Sequence, residues 1–240
     1  MQHKTRGIVL KTTKYSESSL VVQVFTEKFG LQAYLVNGAR KPKAKIGTSL
    51  LQPLHLLDMV VYHRENASLQ RISDARQMPP LQSIPHDIIK RTVALFLNEV
   101  LYKSLRQQSA DEPLFDYLFN AISWWDTVEK PAPNFHLFFL IKLSRYLGFS
   151  PTLPKSGEPF FDLKDGIFCH TLPAHAWVLQ HPQTASFARL LTCSFEELTS
   201  MHITSSERRI LLGKILDFYR LHIDHLGEIH SHEVLEEVFR

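Results

Sequence analysis

Four cations fall within six positions in the run Gly38-Ala39-Arg40-Lys41-Pro42-Lys43-Ala44-Lys45. Gly38 and Pro42 oppose regular structure, so the run reads as a mobile basic loop that can follow a phosphate backbone without reading bases. A solvated loop kept polar for solubility is the competing reading. Arg6, Lys11 and Lys14 extend the cationic surface along a first strand, where alternation places some of them on one face. Of the neighbouring aromatics Tyr15, Phe25, Phe29, Tyr34 and Tyr62, most belong in a core. Tyr15, beside Lys14 in a turn, is the candidate for stacking against a base.

Other chemistry is sparse. There are 13 histidines, with His222 and His225 at i, i+3, His230 and His232 soon after, and Cys169-His170 and His175 upstream. No spacing matches a zincin or a zinc finger, and surface or capping histidines explain them better than metal ligands. A Walker loop, a GxGxxG turn and a GxSxG elbow are absent. The expectation is a protein that is not an enzyme and carries no metal and no cofactor. A hydrolase with a dispersed His/Asp cluster is the rival, to be recognised by metal-dependent cleavage of nucleic acid. Lys142 and Arg145, three residues apart on a helix, together with Arg208 and Arg209 on a later one, frame a candidate pocket for an acidic, hydrophobic peptide tail. Solvated helix faces explain the same residues.

The chain around these groups has 240 residues, 44% hydrophobic and 21% charged, which suits a folded globular protein and excludes wholesale disorder. No stretch reaches the roughly 20 apolar residues of a membrane span, and the polar N-terminus does not read as a secretory signal. Two cysteines, Cys169 and Cys193, supply neither a disulfide framework nor a four-cysteine zinc site. A reducing cytoplasm is the expected compartment. The net charge of +3 averages two unlike halves: residues 1–80 hold 12 Lys+Arg against 5 Asp+Glu, and residues 81–240 hold 15 against 19. A cationic excess confined to one segment points to a polyanion partner for that segment.

Residues 1–80 carry strand signals. Gly7–Thr13, Ser18–Thr26 and Leu31–Val36 are β-rich runs separated by turn residues. A basic loop from Gly38 to Gly47 follows, then apolar segments at Leu50–Tyr62 and Leu69–Ala75. About five short strands in so little chain fit a small Greek-key barrel such as the OB-fold. After Met78-Pro79-Pro80 the period changes. Helices are expected over Ile84–Leu105, from Asp111-Glu112-Pro113 onward, over Phe135–Leu147 with Gly148 as its stop, from Ser205 to about Leu226, and from Ser231. In the adjacent pair Trp124-Trp125 the rings cannot face the same way, so one is expected to be partly exposed or to lie against a neighbouring loop. Between about 149 and 183 prolines interrupt the pattern, and Phe160–Leu163 with Gly166–Phe168 suggests a small hairpin. The architecture read from these signals is α+β and multidomain: an N-terminal OB-fold barrel over 1–80 and an all-α domain over 81–240 with an irregular insert.

The segments Gly7-Ile8-Val9-Leu10, Tyr15-Ser16-Glu17-Ser18-Ser19, Phe25–Gly30, Asn37–Lys41 and Leu51-Gln52-Pro53-Leu54 together resemble the RecO family of bacterial recombination mediators. Tyr146–Pro151 and His225-Leu226-Gly227 followed by Ser231 are also similar, so the likeness covers most of the chain. The resemblance implies a nucleoid-associated DNA-repair protein that binds single- and double-stranded DNA and anneals complementary strands. It also implies assistance to RecA loading, with RecR, on strands coated by single-strand-binding protein, whose acidic C-terminal tail docks on the helical domain of some members. Many members carry a four-cysteine zinc module after the Leu-Gly-Phe-x-Pro stretch. Of such cysteines only Cys169 could remain here, so the insert reads as a zinc-less relic. A scaffold whose barrel grips a repair partner, with DNA contact incidental, is the alternative function.

Overall fold

The computed structural model describes residues 1–65, 67–106, 108–155 and 157–238. Five strands, β1 (Gln2–Lys14), β2 (Leu20–Thr26), β3 (Gly30–Val36), β4 (Leu56–Tyr62) and β5 (Gln70–Gln77), close a barrel in the order β1-β2-β3-β5-β4. Closure comes from a short parallel pairing of β3 with β5 through Tyr34–Gln70 and Leu35–Arg71; the other four pairings are antiparallel. This is the OB-like barrel expected from the strand signals.

β1 serves two neighbours. Its first half pairs with β4 and its second with β2, and the register shifts between Val9 and Lys11. The extra residue is Leu10. A bulge of this kind bends a strand and re-aims its side chains. Val9 accordingly packs in the barrel core, while Leu10 is buried outside that cluster and its carbonyl accepts from Asn98 Nδ2 at 2.9 Å. Gly7 lies where β1 faces both partners, and a Cβ there would come within 2.6 Å of Val24 Cγ1 and 2.7 Å of Met59 Sδ. The apolar interior includes Val22, Val24, Tyr34, Leu57, Met59 and Val61.

Helices α1 (Ile88–Ser104) and α2 (Glu112–Thr127) join the barrel in one compact unit, residues 1–127; residues 128–240 form the second. α1 starts later than the periodicity over 84–105 suggests. Asp87 caps it by accepting from Lys90 N, and residues 82–84 instead give their N–H groups to Asp126. α2 begins as expected, with Asp111 Oδ1 accepting from Leu114 N at 2.9 Å. The two tryptophans at its end divide as their spacing requires: Trp125 is buried and Trp124 half-buried.

In the second unit α3 (Phe135–Tyr146) is buried along most of its length, and Gly148 follows it with φ +87°. The insert holds the expected hairpin, β6 (Phe160–Asp162) with β7 (Ile167–Cys169), plus a third strand β8 (Val178–Leu179) in the order β7-β6-β8. Aromatic rings pack at its centre. Phe161 lies 4.9 Å from Phe168, 4.7 Å from Phe187 and 5.9 Å from Phe218, centroid to centroid. Phe187 comes from α4 (Gln183–Thr192), a helix with no predicted counterpart, because its apolar face is only three buried residues long. The one-turn α5 (Phe195–Leu198) opens with a capping box from Ser194 and Glu197. α6 spans Ser205–His222 and ends one turn before the expected Leu226, because Ile223 turns extended and His225 adopts a positive φ of 56°. α7 (Ser231–Val238) is the final helix.

Candidate nucleic-acid interface

The basic run lies in the connection between β3 and β4, residues 37–55, which contains turns and no regular element. It is not the free chain its composition suggests. Ala39, Ile46 and Leu51 are buried in the barrel core, and between them the backbone closes successive turns, Lys41 N to Gly38 O and Ala44 N to Lys41 O. Gly38 takes φ +68°, which begins this path. Three apolar anchors thus hold the cations on a defined scaffold, so little ordering entropy remains to be lost on binding.

Arg40 fastens the loop to its neighbour. Its backbone N–H donates to Ser18 O at 3.2 Å and its guanidinium to Glu17 O at 2.8 Å. That joins the basic loop to the β1–β2 turn, which carries Lys14 and Tyr15, the latter 63% exposed. Lys41 and Lys43 are exposed, and among the described residues neither is in an ion pair. Lys45 is paired with Asp74 at 3.3 Å, an exposed contact that a phosphate can displace. Beside these cations is a concavity of about 490 Å³ lined by Arg40, Lys41, Pro42, Gly47, Thr48 and Ser49 among others. The Thr48 and Ser49 hydroxyls were not anticipated; the turn-rich Gly47-Thr48-Ser49 sequence was the available signal.

Two expected residues are committed elsewhere. Arg6 donates to Glu27 Oε1 at 2.9 Å and Asp116 Oδ1 at 2.7 Å, with Phe115 and Phe119 rings 5.0 Å from its guanidinium carbon. Its hydrogen bond with Glu27 holds the guanidinium charged and pulls the Glu27 carboxyl below its usual range. Two carboxylates on one cation leave a net negative site, and Arg6, expected as a phosphate contact, ties β1 to α2 here. Lys11 places its Nζ 4.5 Å from the Tyr102 ring centroid on α1 and donates to the Tyr102 hydroxyl at 3.1 Å. Of the barrel aromatics, Phe25 and Tyr34 are fully buried, and burial raises the Tyr34 phenol.

Of the four helical-unit cations, Lys142 and Arg208 make separate contacts. Lys142 Nζ donates to Leu191 O at 2.7 Å, and burial lowers its affinity for the proton. Arg208 donates to Asn134 Oδ1 at 3.1 Å and is likewise lowered by burial. Asn134 and Lys142 are eight residues apart, about 12 Å along a helix, so these two cations serve different ends of α3. Arg145 and Arg209 are exposed. Buried beside Arg208 is His136, whose imidazole is pushed down to about 3 by desolvation and then by the Arg208 charge.

Among the described residues no group of three or more His, Cys, Asp or Glu side chains is placed to hold an ion. Cys169 lies on β7, and Cys193 is buried at the end of α4, where desolvation raises both thiols.

A closed five-stranded OB-like barrel followed in the chain by helices defines the class: a small-barrel protein with a C-terminal helical region. The comparisons narrow this. Residues 1–80 match the family model described as Recombination protein O N terminal, and residues 85–231 match Recombination protein O C terminal. The chain is similar to the DNA repair protein RecO of Bacteroides fragilis, 37% identical over 242 residues, and to that of Flavobacterium psychrophilum, 35% over 243, with all of both chains covered in each case. It is 30% identical over 241 residues to the DNA repair protein RecO of Porphyromonas gingivalis, with 98% of each chain covered. The chain belongs to the RecO family of DNA repair proteins. No helix among the described residues is long and apolar enough to cross a membrane.

Proposed function

We propose that this protein is a non-catalytic recombination mediator that binds single- and double-stranded DNA through the loop cations, without reading sequence. The observation that supports it most is the anchored cluster of Arg40, Lys41 and Lys43, joined through Arg40 to the turn bearing Lys14 and Tyr15. Cations on a fixed scaffold neutralise phosphates and reduce the repulsion that slows annealing, while base pairing alone selects the partner strand. Family membership supports the wider reading: annealing of complementary strands and assistance to RecA loading, with RecR, on strands coated by single-strand-binding protein. For the acidic tail of that protein, exposed Arg145 and Arg209 are better candidates than Lys142 and Arg208, whose donors are already used within the unit.

The test is fluorescence anisotropy of labelled single-stranded DNA at several salt concentrations. Three to four contacts predict a log–log slope of about −2 to −3, at roughly −0.7 per phosphate neutralised. Replacing Arg40, Lys41, Lys43 and Lys45 with Ala should weaken binding for every sequence and flatten that slope. Unchanged affinity and slope refute the loop assignment. Absence of binding even at low salt transfers the function to protein–protein scaffolding.

A further inference from the structure

The opposite end of β1 holds a second constellation. Gln2 pairs with Tyr62 there, whereas Lys14 pairs with Leu20 beside the basic loop, so the two ends are separated by up to about 35 Å of strand. Three rings from three separate segments meet at this far end. Phe29, in the β2–β3 turn, stacks on His63, in the β4–β5 connection, with centroids 4.0 Å apart and planes 12° from parallel. His3 on β1 meets the Phe29 ring edge-on at 5.4 Å. Phe29 is backed by the barrel core, which gives the stack a rigid base. The β4–β5 connection is itself fastened, because Gln70 accepts from Arg64 N and donates to the carbonyls of Arg64 and Ala67.

These rings line a cavity of about 890 Å³, together with Arg64, Glu65 and Ala67. Two features suit it to a nucleobase. Its aromatic wall has π-faces of the kind that bases stack on regardless of sequence. In addition, the β4–β5 segment that carries His63 is held to Gln70 by hydrogen bonds, which fixes the ring in place. Arg64 and Glu65, of opposite sign, line the cavity along with Met1.

We propose that this end of the barrel is a stacking site for an unpaired base of the DNA strand, distinct from the phosphate-binding loop. The inference rests on the DNA-binding reading, but it has its own signature. Stacking should add affinity without adding to the salt slope, and it should be confined to single strands, because duplex bases are not presented to the rings.

The experiment compares wild type, His63→Ala and Phe29→Leu with the quadruple loop variant, using labelled oligothymidine and a duplex of equal length. Phe29→Leu keeps apolar packing while removing the ring, and thermal melting confirms that each variant is folded. The expected result is about tenfold weaker single-strand binding for His63→Ala and Phe29→Leu, the size of one lost base stack, with an unchanged salt slope and unchanged duplex affinity. The loop variant should instead flatten the slope on both ligands. Full single-strand affinity in both ring variants, beside a weakened loop variant, overturns the stacking site and leaves the loop assignment intact. Equal losses on duplex and single strand also overturn it. A wild type that binds neither ligand refutes the DNA-binding reading itself.

Discussion

Asp126 occupies the last turn of α2, where the helix dipole presents its negative end and a carboxylate is locally unfavourable. The chain leading into α1 holds it there. One carboxylate oxygen accepts from Ser83 N at 2.9 Å and Ile84 N at 2.8 Å, and the other from Gln82 N at 2.6 Å. Its own carbonyl accepts from Lys90 Nζ at 2.9 Å and from the Ser83 hydroxyl. Asp126→Ala removes both acceptor oxygens and with them the partners of three N–H groups. Gln82 is exposed and its N–H can turn to water, but Ile84 is buried and its N–H is stranded. Hydrogen bonds to a charged group contribute about 1.5–3 kcal/mol each, and a stranded buried donor costs about 1–3 kcal/mol. Relief at the helix end returns about 0.3–1 kcal/mol. The expected net loss is therefore at least about 3 kcal/mol for Ala. Asp126→Asn should lose about 1–3 kcal/mol, since one oxygen still serves Ser83 and Ile84 while the new amide meets the Gln82 N–H donor to donor. Urea unfolding followed by tryptophan fluorescence measures this. In a Trp177→Phe background the two remaining indoles of the chain's three, Trp124 and Trp125, both report on the unit containing Asp126. A loss below about 0.5 kcal/mol for Asp126→Ala, the range of an ordinary surface change, or a larger loss for Asn than for Ala, would refute the argument.

In the second unit, pH acts through His136. Its folded value of about 3 lies below the unfolded 6.5, so between the two the unfolded chain takes up a proton that the folded chain refuses. The contribution is complete above about pH 6.5 and is lost as pH falls towards 3, by about 1.4 kcal/mol per pH unit. Relative to His136→Leu, the wild type should lose about 2 kcal/mol more between pH 6.5 and 5; parallel urea-unfolding curves would contradict the buried neutral imidazole. Phe161→Ala should destabilise the same unit by about 3–5 kcal/mol, because its ring contacts Phe168, Phe187 and Phe218 at the centre of the insert. A chelator should leave that stability unchanged. Loss of structure on chelation would show that a metal, not the ring cluster, holds the insert.

Much of the architecture was legible because its signals are local. The β-branched run at Leu20–Thr26 and the alternating run at Leu31–Val36 read as strands, and Asp111 and Gly148 mark helix ends through their own chemistry. The elements that escaped have weak local signals. β8 is two residues long and α5 is four, and their stability comes from what they pack against. The delayed start of α1 has the same origin, since residues 82–84 satisfy their N–H groups at Asp126, more than 40 positions away.

For the candidate interface the division follows range. Composition and spacing alone determined that residues 1–80 are cationic, that Arg40, Lys41, Lys43 and Lys45 crowd one loop, and that a small barrel carries them, because charge and period are properties of neighbouring residues. Tertiary structure decided which cations remain available. Arg6 and Arg40 look alike in the sequence, yet Asp116 reaches Arg6 from α2, while Arg40 lies exposed and fastens two loops together. Pairing between residues more than a hundred positions apart leaves no periodic trace. The meeting of His3, Phe29 and His63 depends on barrel closure in the same way, for no local pattern brings a strand, a turn and a distant connection to one cavity.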